Sequence, residues 1–272
     1  NIKIDGRVFF PHSLGLYYSA ITQWLGFPNY GDEYKVMGLA PYGEPKYLDL
    51  MQQIVRIQTD GSFRLNLDYF RHHRENVQYT WNNCSPEIGT IYSPMLEKLL
   101  GPARKKDTPI DQRHKDIARS AQAMYEEAFF SLLNALYSKY NCSNLALAGG
   151  CAMNSVANGK VYLQSPFKRM YLPAAAGDAG GAIGAAFVVQ KRLGSLNSHY
   201  HMDHGYWGPA ASDTEIKKLL ENKTEEIQSK DCTIENLQNE EDLCQRTAQA
   251  ITEGKVIGWF QGRMEWGPRA LG

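Results

Sequence analysis

Net charge is the first thing this sequence lacks. Its 272 residues carry 29 Lys plus Arg against 29 Asp plus Glu. No long-range field therefore exists to draw in nucleic acid or an acidic membrane surface. Long apolar runs are missing too: none approaches the ~18 residues that span a bilayer. The opening stretch Asn1–Phe10 has no signal-peptide pattern and reads as a hairpin about Asp5-Gly6. Cysteine is scarce and odd in number: Cys84, Cys142, Cys151, Cys232 and Cys244, with no C-x-x-C pair. That argues against a disulfide framework or a zinc site and points to a reducing cytoplasm. The Asn-x-Ser/Thr triplets at Asn83, Asn141 and Asn222 are then accidental. What is present is a 43% hydrophobic composition, enough for one large core or two modest ones.

The most informative stretch is LALAGGCAMN, Leu145–Asn154. A strand-length apolar run stops at two glycines, and the small residues Ala152–Val161 read as a following helix. A side-chain-free turn of this kind lets backbone N–H groups approach an anion closely. A second such passage follows in Pro173–Ala186, with Gly177, Gly180 and Gly181 around the single carboxylate Asp178. One turn with an Asn and one with an Asp suit a nucleotide-phosphate clamp beside a metal ligand. Tight helix–strand packing with no ligand remains the alternative.

Elsewhere, helical spacing over Ser13–Leu25 predicts a helix capped by Ser13, and Asp32–Gly43 a short helix ending in a glycine turn. Residues 54–67 read as a hairpin about Asp60-Gly61, and 70–112 as a polar, irregular surface. Ala118–Leu136 is the strongest helix, with Glu126 and Glu127 on a solvated face. Two further helices, 213–220 and 241–253, precede a strand at Val256–Phe260. Tyr17, Tyr18, Trp24 and Phe27 read as core and interface aromatics. His12 and His114 read as residues near helix starts, His201–His204 as an exposed loop, and Cys151 as small-residue packing. The chain stops on a dense glycine–arginine motif, so a fragment, open at both ends, is expected.

Four stretches carry a resemblance: Pro11–Gly43, Leu145–Asn154, Gly177–Ala186 (GDAGGAIGAA) and Gly258–Gly272 (GWFQGRMEWGPRALG). Together they resemble the NodU/CmcH O-carbamoyltransferases from about Phe10 onward. The resemblance implies an α/β domain of the actin/sugar-kinase (ASKHA) superfold over residues 1–205, followed by a linker and the start of a YrdC-like domain over 206–272. It implies a two-step chemistry: carbamoyl phosphate and ATP give carbamoyl-adenylate and pyrophosphate, and the carbamoyl group then passes to a hydroxyl of a small molecule or sugar. Holding the adenylate in a closed site would shield its acyl carbon from water.

On that resemblance, Gly149, Gly150 and Asn154 match the adenylate-binding turn, with Gly177, Gly180 and Gly181 in the second turn. Asp178 matches the carboxylate ligand of an Fe(II)-type site, where a divalent metal would polarise the carbamoyl group. Mg(II) would accompany ATP. Lys35 is placed in a nucleotide-facing motif with a catalytic role, and Arg263, Glu265 and Arg269 at the entrance of the YrdC-like domain. The two guanidiniums would suit fork-like contact with phosphate. The family's other metal ligands form an H-x-x-x-H pair, and this sequence contains none. That pair is expected upstream of Asn1, and most of the YrdC-like domain beyond Gly272. The fragment alone is therefore expected neither to make carbamoyl-adenylate nor to bind iron tightly, and its uncovered core to favour a homodimer. A small-molecule kinase of the same superfold and a non-catalytic nucleotide-binding module are the competing readings.

Overall fold

The computed structural model describes residues 4–82, 85–194, 202–268 and 270. They form two compact units, Asn1–Asp178 and Ala179–Gly272. In the first, Ser13 caps α1 (Leu14–Trp24) as the pattern predicts, its Oγ accepting from the Leu16 amide at 3.3 Å. The short helix α2 (Glu33–Leu39) passes into a 3-10 turn at Ala40–Tyr42 that Gly43 closes. Next, α3 (Leu48–Ile54) leads to β1 (Val55–Ile57), which pairs antiparallel with β2 (Phe63–Leu65) across the expected Asp-Gly turn. A second antiparallel pair, β3 (Tyr79–Asn82) and β4 (Ser85–Ile88), precedes α4 (Pro94–Leu100).

The spine of this unit is α5 (Gln112–Tyr140). It outruns the periodic stretch because both ends are stopped chemically. Asp111 and His114 form a reciprocal capping box at its start, and Asn141 takes a left-handed φ of 48° at its end. Its face of Ile117, Ala121, Met124, Ala128 and Leu133 packs with Tyr17, Ile21 and Trp24 of α1, Met51 and Ile54 of α3, and Leu96 and Leu100 of α4 in one core. Each of the Ile, Leu and Met side chains among them contributes about 1.5–3 kcal/mol when fully buried.

After α5 come β5 (Asn144–Ala146), two short helices α6 (Ser155–Asn158) and α7 (Val161–Gln164), and β6 (Arg169–Tyr171). The strands pair in parallel, Asn144 opposite Arg169 and Ala146 opposite Tyr171, as a helical crossover requires. Leu145, Leu147 and Met170 lean on the core. The fold is thus mixed α/β, with three two-stranded sheets among the described residues. The second unit holds α8 (Gly180–Arg192), α9 (Asp213–Asn222), α10 (Thr224–Ser229) and α11 (Glu240–Thr252).

Five expectations need correction. Residues 4–10 form no strand; Phe9 and Phe10 are exposed, and a lone two-stranded hairpin has little to hold it. Residues 70–112 are not merely surface, because Phe70, Ile91, Leu96 and Leu100 are core residues hidden in a polar average. The helix expected over 152–161 is broken: Asn154 adopts an extended backbone to cap α6, and a further break at Gly159-Lys160 precedes α7. Glu126 is buried rather than solvated, for reasons given below. Val256–Phe260 is not a strand, since no ladder partner lies opposite it among the described residues. No described helix is long and apolar enough to cross a membrane.

Candidate functional site

The ends of β5 and β6 bring the two glycine turns together. Pairing continues past the strands, with the Leu147 amide donating to the Tyr171 carbonyl at 3.1 Å. The Gly149 amide then donates to the Ala176 carbonyl at 2.7 Å, joining turn to turn. Gly149 has a φ of 96°, a conformation that side-chain-bearing residues rarely adopt. Gly150 differs: its backbone is ordinary, and an added Cβ would meet nothing within 4 Å. The protein itself does not demand glycine there. At the second turn, a Cβ on Gly177 would touch Met153 Cε at 3.4 Å, so the two turns abut through side chains as well. Both lie outside the carboxyl ends of parallel strands, where α/β sheets bind ligands.

Asn154 occupies the turn, but its amide is already engaged. Its Oδ1 accepts from the Ala157 amide (3.0 Å) and from Gln122 Nε2 (3.1 Å), while its Nδ2 donates to Gln122 Oε1 at 3.0 Å. Beneath it, Gln122 Nε2 also donates to Glu126 Oε1 (2.9 Å), and Glu126 Oε2 accepts from Lys160 Nζ at 2.6 Å. Tyr18 donates its hydroxyl to Gln122 Oε1 at 2.7 Å, and burial, followed by the charges of Glu126 and Glu33, raises that hydroxyl's pKa. This network explains why Glu126 is buried: a carboxylate away from water needs a cation and donors. Nothing in the sequence motifs marks Gln122 or Tyr125, and Glu126 reads there as part of a solvated face. The available signal was the i, i+4 row Ala118–Gln122–Glu126, which sets two polar residues on a face carrying buried Ala118.

Asp178 is exposed beside Gly177, and its charge adds to the burial, Tyr30 and Glu33 effects that raise the Tyr79 hydroxyl. Among the described residues, no group of three His, Cys, Asp or Glu side chains could hold a metal ion. By themselves the described residues therefore do not fit a transition-metal centre. Cys151 lies in the turn with its thiol pushed up to about 11, first by burial and then by Glu33. It is no nucleophile at neutral pH.

Lys35 stands on α2. It pairs with Asp32 at 2.7 Å, stands 5.6 Å from the Phe27 ring centre, and lines a cleft of about 530 Å³ with Arg104 and Lys106. Its own helix approaches the first turn, since Ser155 Oγ donates to Met37 Sδ at 3.5 Å. Gly180, Gly181, Arg263 and Glu265 belong to the second unit. There Arg263 donates from Nε to the Gly208 carbonyl at 2.9 Å and from a terminal nitrogen to the Trp207 carbonyl at 3.5 Å. Arg269 and His201 lie outside the described residues. His204 stacks on Trp207 at 5.1 Å.

Comparison with known proteins decides the family. Residues 1–187 match the model for the carbamoyltransferase N-terminus, and residues 248–272 the one for the carbamoyltransferase C-terminus. The chain belongs to the carbamoyltransferase family. An uncharacterized protein of Synechocystis sp. is 40% identical over 98% of the chain and 41% of its own length. The nodulation proteins NolNO of Sinorhizobium fredii and NolO of Bradyrhizobium diazoefficiens are 35% and 34% identical, over 96% and 97% of the chain. The chain spans only 34% and 43% of those two relatives. In this carbamoyltransferase chain, the first family match covers both glycine turns, and the second covers Arg263 and Arg269.

Proposed function

We propose that the joined turns at Gly149–Gly150 and Ala176–Asp178 hold the phosphate side of carbamoyl-adenylate in an ATP-dependent O-carbamoyltransferase. The acceptor is a hydroxyl of a small molecule or sugar, and the carbamoyl donor is carbamoyl phosphate. In this reading, one water hydrolyses carbamoyl phosphate to carbamate and inorganic phosphate, and a carbamate oxygen then attacks the α-phosphorus of ATP and displaces pyrophosphate. The acceptor oxygen then attacks the carbamoyl carbon, and the bond to AMP breaks. Residues 1–205 represent part of an ASKHA-type domain, and 206–272 a linker and the start of a YrdC-like one.

One observation carries the site assignment. Gly150 is a glycine that neither its backbone angle nor any protein neighbour requires, next to a glycine amide that locks the two turns together. Space kept free at a backbone is what close phosphate approach needs. The exposed Asp178 adds a carboxylate at the rim, suited to orienting the acceptor hydroxyl.

Titration calorimetry with ATP, AMP and a non-hydrolysable carbamoyl-adenylate analogue tests the reading. Binding by the native chain that Gly150→Val weakens about tenfold or more, with the melting temperature unchanged, is the expected result. Equal binding by both proteins would remove the phosphate from this turn. Formation of ADP rather than AMP and pyrophosphate by the longer protein would favour a kinase instead.

A further inference from the structure

One face of α5 grips the first glycine turn at three points. Gln122, Tyr125 and Glu126 stand at i, i+3 and i+4, so their side chains rise from adjacent positions. Gln122 holds the Asn154 amide in a two-way pair at 3.0 and 3.1 Å. Tyr125 donates its hydroxyl to the Cys151 carbonyl at 2.8 Å. Glu126 holds Lys160, at the break between α6 and α7, at 2.6 Å. The turn between Cys151 and Lys160 is therefore fastened to a long helix whose buried face runs to Leu133 in the core, as well as to its own short helices, which are four residues each.

Gln122 is the centre of this grip. Its two N–H bonds go to Asn154 and Glu126, and its oxygen accepts from Tyr18 and Asn154. All four hydrogen-bonding directions of the amide are filled, which fixes which way it faces and hence which way Asn154 faces. Gln122 is fully buried, so losing any partner would leave an unpaired polar group away from water. Such a closed network has one good arrangement.

We infer that Gln122, with Tyr125 and Glu126, is a set of positioning residues that holds the Gly149–Asn154 turn in its ligand-binding conformation. The inference rests on the nucleotide reading for its ligand, though not for its geometry. None of the three touches the proposed phosphate; each acts through the turn.

The test uses Gln122→Met, Tyr125→Phe and, as a control, Leu133→Ala, a buried residue of the same helix that bonds to nothing in the network. Two readouts are taken: AMP and ATP affinity by calorimetry, and backbone amide exchange across residues 149–160 by NMR. Expected are an affinity loss of about tenfold in Gln122→Met and Tyr125→Phe, with faster exchange confined to the turn. Leu133→Ala should lower the melting temperature at least as much while leaving both readouts at native values. Native affinity and native turn exchange in both network variants would overturn the inference. So would matching losses in Leu133→Ala, because the effect would then be general loosening. Should the native chain bind neither nucleotide, the phosphate reading falls, and the exchange measurement alone decides the positioning role: faster exchange at the turn upholds it, unchanged exchange ends it.

Discussion

At the scale of single residues, the turn shows how environment reverses what a residue type promises. Cys151 sits among glycines at a strand end, a setting where thiols are often activated, yet the charge that acts on it is the carboxylate of Glu33. Burial pushes its thiol up to about 11, with Glu33 adding in the same direction. The sign is simple: a raised thiol pKa leaves the neutral form dominant until the pH climbs close to that value, and only the thiolate reacts. Alkylation at pH 8 should therefore modify Cys142, Cys232 and Cys244, all exposed, well before Cys151. A time course read by peptide mass mapping checks this; Cys151 reacting as fast as the others would mean the turn opens readily. Asn154 teaches the same lesson. Its motif reads as a phosphate contact, but the folded side chain spends its oxygen on the Ala157 amide and Gln122. The residue type was legible from sequence; its partner, 32 positions away on α5, was not.

Among elements, the clearest case of sequence being decided by packing is Gly43. Its φ of −121° suits any residue, so no backbone strain calls for glycine. A Cβ there, however, would lie 2.1 Å from the Lys115 carbonyl oxygen and 2.6 Å from the Asp116 nitrogen. The 3-10 turn after α2 thus lays its backbone against the first turns of α5. Asp116 locks the contact by accepting from the Glu44 amide at 2.9 Å and pairing with Lys46 at 3.3 Å. Because the obstructing atoms are helix backbone and cannot swing away, Gly43→Ala should destabilise by about 1–3 kcal/mol. Chemical denaturation measures it directly, and a change below half a kcal/mol would show that the two elements can separate without loss. Helices with their own caps and periodicity, α1, α9 and α11, were legible for a physical reason: their signals are local. Strands were legible only where a local turn signal went with them, as at Asp60-Gly61 and at the glycines after β5, because a strand is otherwise defined by a distant partner. Residues 256–260 have strand composition and no partner among the described residues, while β3 and β4 pair from within a polar stretch.

For the molecule as a whole, burial is divided unequally between the two compact units. Among the described residues every buried core residue belongs to the first, with α1, α3, α4 and α5 sharing one cluster. Among the described residues of the second unit none is buried, although α9 and α11 carry apolar residues such as Leu219 and Ile251 that stand 58% and 59% exposed. Those helices are legible in sequence because their caps are strong, as in the Ser212–Glu215 capping box. Caps start a helix but do not keep it from opening; tertiary burial does that. The amides of α9, α10 and α11 should therefore exchange with solvent by local opening, with protection several orders of magnitude below that of the α5 amides around Ile117–Ala128, which open only with the whole first unit. Hydrogen exchange followed by mass spectrometry distinguishes the two regimes. Uniform protection across both units would mean that the second is held by contacts its own residues do not supply. The same contrast places the joined turns at Gly149 and Ala176 in the unit that carries the buried core. The turns at Gly149 and Ala176 hang from β5, β6 and α5, so the proposed phosphate site is preorganised by a core that exists without α9–α11.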